Sequence, residues 1–501
     1  MIPLLTAHQI RLADAHTIKH EHISSLKLME RASAAFAGVF MKHFPDRQQA
    51  ITVYCGTGNN GGDGLAIARL LYKQKYECLH LVIARFGKKS TANFEANFKK
   101  IKQTGIPHTE LLPGAAFPRE GSALIIDALL GSGLSKPLAG DYARMVKHLN
   151  GLNKTVVAVD VPTGLFAEGN IPTDTLALKA DLVITFQQAK ITFLLPESGP
   201  YIKQWEAVDI GLDGAFINSL NPPCQFVQEQ DIRQLLKPRP RFSNKGTFGH
   251  ALLIAGQPET MGAALLCASA CACAGAGLTT ACVPQSGLMA LNAAHPEIMA
   301  IVRGGKKQPG ISWDKFTAIG IGPGLGKDKD ARKLLSAVLK NYKKPVVIDA
   351  DALNILAASP ALFKQIPPQS ILTPHMKEFD RLFGTHTGWW QRMQTAINKA
   401  AEHGIYIILK NDYTLTIAPH GKVFFNSTSN AAMASGGMGD VLTGIVTSLL
   451  AQGYTAEQAC IMGVYIHGKA GDELALPKRM MVVLPGTLAA QLPETMAGLL
   501  N

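Results

Sequence analysis

The chain has 501 residues, of which 47% are hydrophobic and 17% charged, and its formal net charge is +12. At roughly 100 to 200 residues per domain this length predicts two or three domains, and the apolar content excludes a disordered chain. The positive charge suits nucleic acid or a small anionic ligand. Only one local basic cluster, KPRPRF at 237–242, is present, and it has no basic helix face, so no nucleic-acid partner is expected.

The first residues, MIPLLTAHQIRLADAH, lack a basic region followed by a long apolar core. We therefore expect neither a secretory signal nor a transit peptide, and predict a cytoplasmic protein. The most apolar window, 261–277, is short for a bilayer span and predicts a buried helix with no membrane partner. On that helix Cys267 and Cys271 would share a face, which permits a metal site but favours packing of reduced thiols.

In the first half of the chain, apolar runs alternate with helical patterns. Continuous apolar strands of this kind are typical of a parallel sheet covered on both faces, so we predict an α/β Rossmann-like domain with three layers. The predicted strands are AITVYC at 50–55, CLHLVIA at 78–84, ALIID at 123–127, TVVAVD at 155–160 and ADLVITF at 180–186.

The alternation weakens between Gly211 and Pro240, a stretch rich in proline. We therefore predict one domain at 1–222 and a second at 226–501. The second resumes the α/β pattern, and YTLTIAPHGKVFFN adds a predicted hairpin around His420 and Gly421. Its other predicted strands lie in HALLIAG, LTTACVP, FTAIGIGPG, PVVIDADAL, SILTPH and IYIILK.

In the first domain, the glycine-rich segment GTGNNGGDG at 56–64 joins a strand to a helix. Free backbone N–H groups and the helix dipole make such a turn an anion site. Its spacing differs from the dinucleotide fingerprint, so a purely structural turn is an equal alternative.

Two aspartates, Asp127 and Asp160, follow neighbouring predicted strands. Because the carboxyl ends of parallel strands face one crevice, Asn60, Asp127 and Thr163 can offer oxygens to a hard cation beside Asp160. Alternatively, the two aspartates cap neighbouring helices.

In the second domain, the turn GGMGD at 436–440 precedes an apolar helix. Its N–H groups would form an anion cradle beside Asp440, as in ribokinase-like folds, and taken alone it indicates a kinase. His375 and Lys410 lie at predicted strand ends and are candidates for ligand contact. We place Asp349 and Asp351 on a strand and expect them on opposite faces, so that one at most enters the crevice.

The complete motif set resembles one enzyme family. NNGGDG, DALLGSGLSKP and VDVPTG, with the LMERAS helix, resemble the epimerase domain of the NAD(P)H-hydrate repair enzymes over about residues 1 to 215. KGTFGHALLIAG, IGPGLG, DADALN, TPHMKEF and GGMGDVLTG resemble the dehydratase domain of the same family, a ribokinase-like fold. The resemblance implies epimerisation of R and S hydrates, then dehydration of the S form with ADP, in the fused arrangement of bacterial members.

The resemblance also implies site residues. Potassium would be held by Asn60, Asp127 and Thr163, and ADP, with Mg²⁺, by Lys410, Asn411, Asp412, Tyr413, Thr414 and Gly439. Catalysis would fall to Asp160, with Lys190 as the alternative, and to Asp440. The hydrates would contact Asn59, Asn60, Gly61, Gly62, Asp63, Gly131, Ser132, Gly133, Leu134, Ser135, Lys136, Pro137 and Asp160 in the first domain, and Ala263, Gly324, His375 and Asp440 in the second.

Two positions depart from the family pattern. Met438 stands where serine is usual in the family, and Asn411 where glycine is usual. We expect these two changes to affect the affinity for the nucleotide, or the choice between ADP and ATP, more than the reaction itself. A homo-oligomer is expected. The competing hypotheses are a small-molecule kinase with an accessory Rossmann-like domain, and a non-catalytic nucleotide-binding scaffold.

Overall fold

The computed structural model of the protein describes residues 1–87, 89–304 and 310–500. The chain forms two compact units. The N-terminal unit comprises Pro3–Cys224 and Gly388–Trp390, and the C-terminal unit comprises Met1–Ile2, Gln225–Thr387 and Gln391–Asn501. A short strand, β1 (Ile2–Leu4), precedes the first helix.

The N-terminal unit is built on a parallel sheet with the strand order β4-β3-β2-β5-β6-β7-β8. The central strands are buried along almost their whole length, which explains their continuous apolar sequences. The strand bounds are β2 (Ile51–Cys55), β3 (Leu79–Ala84), β4 (His108–Leu111), β5 (Leu124–Ala128), β6 (Thr155–Val159), β7 (Leu182–Phe186) and β8 (Trp205–Val208).

The helices of this unit begin at side-chain caps or glycine turns. Thr6, Ser24 and Thr91 each accept a hydrogen bond from a first-turn backbone N–H, which satisfies groups that a helix start leaves free. The apolar face of the second helix packs into the core through Leu28, Phe36 and neighbouring residues. The bounds are α1 (Ala7–His20), α2 (Ser25–His43), α3 (Asn59–Lys73), α4 (Ala92–Ile101), α5 (Gly140–Gly151) and α6 (Gly214–Ser219).

The C-terminal unit has a mixed sheet in which β10 to β16 pair in parallel and β16, β17 and β18 pair antiparallel. Its order is β9-β18-β17-β16-β15-β14-β13-β10-β11-β12. The bounds are β9 (Cys224–Phe226), β10 (His250–Ile254), β11 (Leu278–Pro284), β12 (Met299–Arg303), β13 (Ala318–Ile321), β14 (Val346–Ile348), β15 (Ile371–Leu372), β16 (Tyr406–Leu409), β17 (Leu415–Ile417) and β18 (Val423–Phe425).

Helices α8 and α15 pack against each other across small residues. A Cβ added at Gly444 would lie 2.2 Å from the Cys267 carbonyl oxygen, so glycine is needed for this approach. The helix bounds are α7 (Glu229–Leu235), α8 (Met261–Cys273), α9 (Leu288–Ala294), α10 (Lys329–Asn341), α11 (Ala350–Ala357), α12 (Pro360–Phe363), α13 (Met376–Phe383), α14 (Trp389–His403), α15 (Met438–Ala451), α16 (Ala456–Ala475) and α17 (Pro485–Leu500).

The predicted fold class is confirmed in both units, as are the predicted strands to within a residue or two at most ends and the hairpin formed by β17 and β18. Cys267 and Cys271 are fully buried with free thiols on the packed face of α8. In the described ranges, none of the helices has the length and apolar character needed to cross a bilayer.

One structural prediction is wrong. Strand β14 ends at Ile348, so Asp349 is the N-cap of α11 and Asp351 lies in its first turn. The strand is shorter than its apolar sequence suggested because the helix starts directly after it. The expectation of opposite faces is also wrong for a strand, since residues two apart, such as Asp349 and Asp351, share one face.

Candidate active sites

The first candidate site is a cavity of about 450 Å³ in the N-terminal unit. It lies at the carboxyl ends of β5, β6 and β7, bordered by α1 and by the start of α3. This is the edge at which open α/β sheets bind ligands. Its lining residues are Ala7, Ile10, Arg11, Asp14, Gly58, Asn59, Asn60, Asp63, Leu129, Leu130, Gly131, Ser132, Gly133, Leu134, Asp160, Phe186, Gln187, Lys190, Ile210 and Leu212.

An ion pair between Asp160 and Lys190 forms the charged centre of this cavity. The Lys190 ammonium lies 2.7 Å from Asp160 Oδ1, and its side chain is 2% exposed. The same carboxylate oxygen accepts from the Thr185 hydroxyl and the Phe186 N–H, both at 3.2 Å. Asp160 has φ +65°, an uncommon conformation for a residue other than glycine, and such strain clusters at functional sites. The pair is therefore held in one geometry at the wall of the cavity.

A cluster of oxygen donors lies beside the ion pair. Asp127 is fully buried and accepts from the Thr163 hydroxyl at 2.7 Å and the Thr163 N–H at 2.8 Å. Burial raises the pKa of Asp127 to about 6, although these hydrogen bonds act to lower it. The amide nitrogen of Asn60 is buried with no partner among the described residues. Amide oxygen and nitrogen positions are interchangeable by rotation, so this set of carboxylate, hydroxyl and amide fits a hard cation.

The second candidate site surrounds Asp349 in the C-terminal unit. This carboxylate is 1% exposed and accepts from the Lys410 ammonium at 2.9 Å and from the Thr443 hydroxyl at 2.8 Å. Burial acts to lower the pKa of Lys410, but the negative charges of Asp349 and Glu378 raise it above its ordinary value. Lys410 is therefore a fixed cation at the end of β16.

Asp440 lies in the first turn of α15, one residue beyond Gly439. Burial and the neighbouring charge of Asp349 raise its pKa to about 7, while Lys410 acts to lower it. The turn is possible because Gly437, the N-cap, has φ +100°. A carboxylate whose pKa is near neutrality, beside the N–H groups of a helix start, suits proton abstraction next to a bound anion.

A cavity of about 370 Å³ adjoins this helix start. Its lining is rich in amides and hydroxyls, which suits a polar ligand such as a nucleotide. Met438 is 7% exposed and contributes to the wall. The lining residues are Lys410, Asn411, Asp412, Thr414, Asn426, Thr428, Ser429, Asn430, Ala431, Met433, Ala434, Met438, Gly439, Leu442, Val464, His467 and Gly468.

Comparison with known proteins assigns both units. Residues 251–494 match the family profile described as NAD(P)H-hydrate dehydratase, and residues 25–192 match that of the YjeF-related protein N-terminus. The bifunctional NAD(P)H-hydrate repair enzyme of Coxiella burnetii is 34% identical, covering 90% of this chain and 91% of its own length. The chain belongs to the family of bifunctional NAD(P)H-hydrate repair enzymes.

Other members of the repair family match over similar lengths. The Moorella thermoacetica enzyme is 31% identical, and the match covers 99% of this chain and 97% of that enzyme. The Escherichia coli enzyme is 32% identical, and the match covers 94% of this chain and 89% of that enzyme. A solved ribokinase-like superfamily protein from Enterococcus faecalis is 29% identical with a TM-score of 0.50, covering 55% of this chain and 96% of its own. This last similarity supports the ribokinase-like fold of the C-terminal unit.

For the repair family's epimerase half, the structure brings many predicted residues to one cavity. Asn59, Asn60, Asp63, Asp160 and the loop from Gly131 to Leu134 line it. Gly61 and Gly62 are buried in α3. A Cβ at position 61 would lie 1.7 Å from the Gly56 carbonyl oxygen, so close packing alone requires glycine there. Ser135, Lys136 and Pro137 follow in the same loop but lie outside the lining.

For the dehydratase half, the predicted residues fall into two groups. The second cavity is lined by Lys410, Asn411, Asp412, Thr414 and Gly439. Tyr413 lies outside this lining, and its ring is 6.2 Å from that of Phe226. Ala263 and Gly324 lie side by side, since a Cβ at Gly324 would be 3.0 Å from the Cβ of Ala263.

His375 belongs with the charged group around Asp349. It is the N-cap of α13, pairs across the sheet edge with Lys410, and accepts from the Lys377 N–H at 3.1 Å through Nδ1. Burial lowers the pKa of His375, so its imidazole is neutral at neutral pH.

Sequence inspection missed several residues of both cavities. Asp14 and Arg11 reach the first cavity from α1, and the only sequence signal was a single acid within an amphipathic helix. His467 reaches the second cavity from α16. Burial lowers the pKa of His467 to about 4, and its Nε2 has no hydrogen-bond partner in the described ranges. Nothing in the sequence around His467 pointed to a ligand.

Proposed function

We propose that the chain performs two steps of cofactor repair: epimerisation of R and S NAD(P)H hydrates in the N-terminal unit, and dehydration of the S hydrate in the C-terminal unit at the expense of ADP. The observation that supports this best is that each unit has a charged centre in or beside a cavity, the Asp160–Lys190 ion pair in one and Asp440 with its raised pKa in the other. Residues 1–222 and 226–501 are the proposed domain limits. A cytoplasmic location and self-association are also part of the proposal.

For epimerisation, the proposed catalytic group is Asp160 together with Lys190. Inverting the carbinol carbon, C6, requires its oxygen to leave one face and return to the other, or the ring to open and close. Either route needs a proton to move to or from that oxygen. Asp160, fixed by three hydrogen-bonding or ionic contacts, is positioned to take that proton, with Lys190 as the alternative proton carrier. The predicted hydrate-binding residues of this unit remain Asn59 to Asp63, Gly131 to Pro137 and Asp160.

Potassium would be held by Asn60, Asp127 and Thr163. When bound, the ion would supply positive charge for the phosphate groups of the dinucleotide. The support is the oxygen donor set, in which Asp127 already binds both the hydroxyl and the N–H of Thr163. Replacing K⁺ by tetramethylammonium should lower the melting temperature of wild type. The melting temperature of Asp127→Asn should be the same in both salts. Equal melting of wild type in both salts would remove potassium from the proposal.

For dehydration, the hydroxyl on C6 is a poor leaving group. In the proposed reaction Asp440 takes the hydroxyl proton as the oxygen attacks the terminal phosphoryl group of ADP. The bond to AMP breaks, and phosphate then leaves C6 as C5 loses a proton, which regenerates NAD(P)H. The N–H groups at the start of α15 and the fixed Lys410 would stabilise the transferring charge. Mg²⁺ would accompany the nucleotide.

The proposed nucleotide site is the second cavity, with Lys410 to Thr414 and Gly439. The proposed hydrate contacts are Ala263, Gly324, His375 and Asp440. Asn411 and Met438, which depart from the family pattern, both line the cavity. ADP is the proposed nucleotide, and the activity assay compares it with ATP.

The test is recovery of NADPH absorbance from mixed NADPH hydrates by the purified full chain, with ADP and with ATP in parallel. We expect near-complete recovery with at least one nucleotide and faster recovery with ADP. No recovery with either nucleotide, together with a stable phosphorylated product from a vitamin or sugar, would instead establish the kinase hypothesis that the glycine turn alone suggests.

A further inference from the structure

The first cavity contains more titratable groups than a single proton transfer needs. Besides the Asp160–Lys190 pair, its lining includes Asp14 from α1 and Asp63 from α3. Arg11, the remaining charged residue of the lining, lies one turn before Asp14 on an exposed part of α1. The cavity therefore holds three carboxyl groups and one buried ammonium.

These carboxyl groups differ in how they are held. Asp160 is occupied by Lys190, Thr185 and the Phe186 N–H. In the part of the chain that the structure describes, neither the Asp14 carboxyl nor the Asp63 carboxyl takes part in a hydrogen bond or ion pair. Asp63 is buried, whereas Asp14 is half-buried in the wall. A carboxyl that is at least partly buried and has no partner is costly to keep ionised, so both are candidates for function, and Asp14 is the more exposed of the two.

The surroundings of Asp14 raise its pKa toward neutrality, so that a fraction of the carboxyl remains protonated there. Burial and the negative charge of Asp160 raise its pKa to about 6, while Lys190 acts to lower it. Burial also raises the pKa of Asp63 well above its ordinary value. His16, on the same helix as Asp14, is engaged instead with Asp213, 3.2 Å away. The charged groups that share the cavity lining with Asp14 are Arg11, Asp63, Asp160 and Lys190.

We propose that Asp14 is the second acid–base group of the epimerase site, acting on the C6 hydroxyl from the α1 wall while the Asp160–Lys190 pair acts from the strand edge. This inference rests on the proposed epimerase function. An epimerase that turns over in both directions needs a proton donor for the oxygen that leaves one face and an acceptor for the water that adds to the other. Asp14 and the ion pair come from separate elements around one cavity, which is the arrangement that such a reaction requires.

The step balances without any redox partner. Protonated Asp14 gives its proton to the C6 hydroxyl, the C6–O bond breaks as the ring nitrogen lone pair forms a C=N bond, and water leaves. A water molecule then adds to the opposite face of C6, the C=N electrons return to nitrogen, and the proton lost by this water passes to Asp160. The reverse direction exchanges the two roles, and before another forward turnover the proton on Asp160 returns to Asp14 through solvent.

The experiment compares full-length wild type with Asp14→Asn, Asp14→Glu, Asp63→Asn and Asp174→Asn in converting purified (R)-NADPH hydrate to the S form without nucleotide. Asp174 is exposed and outside the cavity lining, so Asp174→Asn is the matched control. We expect kcat of Asp14→Asn to fall about 10²- to 10⁴-fold, the usual size of a general acid–base contribution, with little change in KM. Asp174→Asn should match wild type.

The pH profile separates a catalytic from a structural role. Wild type and Asp174→Asn should lose kcat/KM as pH rises through about 6, the pKa of Asp14, and Asp14→Asn should lack this limb. Asp14→Glu should restore part of the rate and the limb, which keeps the test valid if Asp14→Asn melts early. Wild-type kcat and pH profile in Asp14→Asn, or loss of the limb in Asp63→Asn alone, would overturn the assignment to Asp14. If wild type fails to interconvert the hydrates, the proposed epimerase function falls first.

Discussion

Lys410 and Asp349 form an ion pair next to the helix start that contains Asp440, with the ammonium 2.9 Å from Oδ1; Asp349 is buried and Lys410 is partly exposed. A Cβ added at Gly439 would lie 3.1 Å from the Lys410 nitrogen and 3.8 Å from Asp349 Oδ2, so the turn and the ion pair are in contact. Asp349 Oδ2 also accepts a hydrogen bond from the hydroxyl of Thr443, on the same helix as Asp440. Asp349 thus connects the cation of β16 to the helix of the proposed base.

The first prediction concerns the charge of Asp349. Because this carboxylate raises the pKa of Asp440, Asp349→Asn should lower that pKa, and the pH at which dehydration reaches half its maximum should move below its wild-type value near 7. The measurement is kcat/KM for the S hydrate between pH 5 and 9.

The matched control is Thr443→Val, which removes a hydrogen bond to Asp349 without changing charge. It should weaken activity without moving the midpoint of the profile. An unchanged midpoint in Asp349→Asn would show that Asp349 does not set the protonation of Asp440.

The second prediction separates the two reactions. Asp440→Asn should lower the dehydration rate about 10²- to 10⁴-fold, because amide nitrogen cannot accept the hydroxyl proton. Interconversion of the R and S hydrates should be unaffected, since the first cavity is lined by residues 7 to 212 alone. NADPH absorbance reports the first quantity and chromatography of the two hydrates the second. Normal dehydration by Asp440→Asn would refute Asp440 as the base.

The third prediction concerns stability. The pKa of Asp440 in the folded chain is about 7, above its ordinary value of 3.8. The folded state therefore binds a proton more tightly than the unfolded state, and the stability gained from that protonation is lost as pH rises from 4 through 7. Asp440→Asn should therefore stabilise the C-terminal unit by about 1–3 kcal/mol at pH 8 and by much less at pH 4. Thermal melting at both pH values measures this. A gain of equal size at pH 4 and pH 8 would contradict the raised pKa.

The fourth prediction concerns the buried pair of the first cavity. Asp160→Asn should abolish epimerisation and leave dehydration of purified S hydrate intact. Lys190→Met should do the same, and should also destabilise the fold by about 3–5 kcal/mol, because it leaves a buried carboxylate without its cation. The change in melting of each variant is compared with that of exposed Asp174→Asn. If Lys190→Met kept full epimerase activity, Asp160 alone would be sufficient.

Much of the fold could be predicted from the sequence because the central strands are buried on both faces and carry continuous apolar runs. Short or edge strands such as β4 (His108–Leu111) lack that signal: two of its four residues are exposed. The Asp349 error has a similar origin, since an apolar run does not show where a three-residue strand gives way to a helix.

The candidate sites were predictable where a residue belongs to a glycine turn or to the end of a strand. Asp160 and Asp440 are of this kind. Asp14 and His467 lie inside helices, and they reach the cavities only through tertiary packing that no local spacing records. The raised pKa of Asp440 likewise depends on burial and on the charge of Asp349, which is far from it in sequence.

The most direct test of two linked activities uses pure (R)-NADPH hydrate and ADP with the full chain. The account predicts that wild type restores nearly all of the NADPH absorbance, that Asp160→Asn restores almost none at early times, and that a mixture of Asp160→Asn and Asp440→Asn recovers the wild-type yield. Conversion of the R hydrate to NADPH by Asp160→Asn at the wild-type rate, or no conversion by wild type, would contradict it.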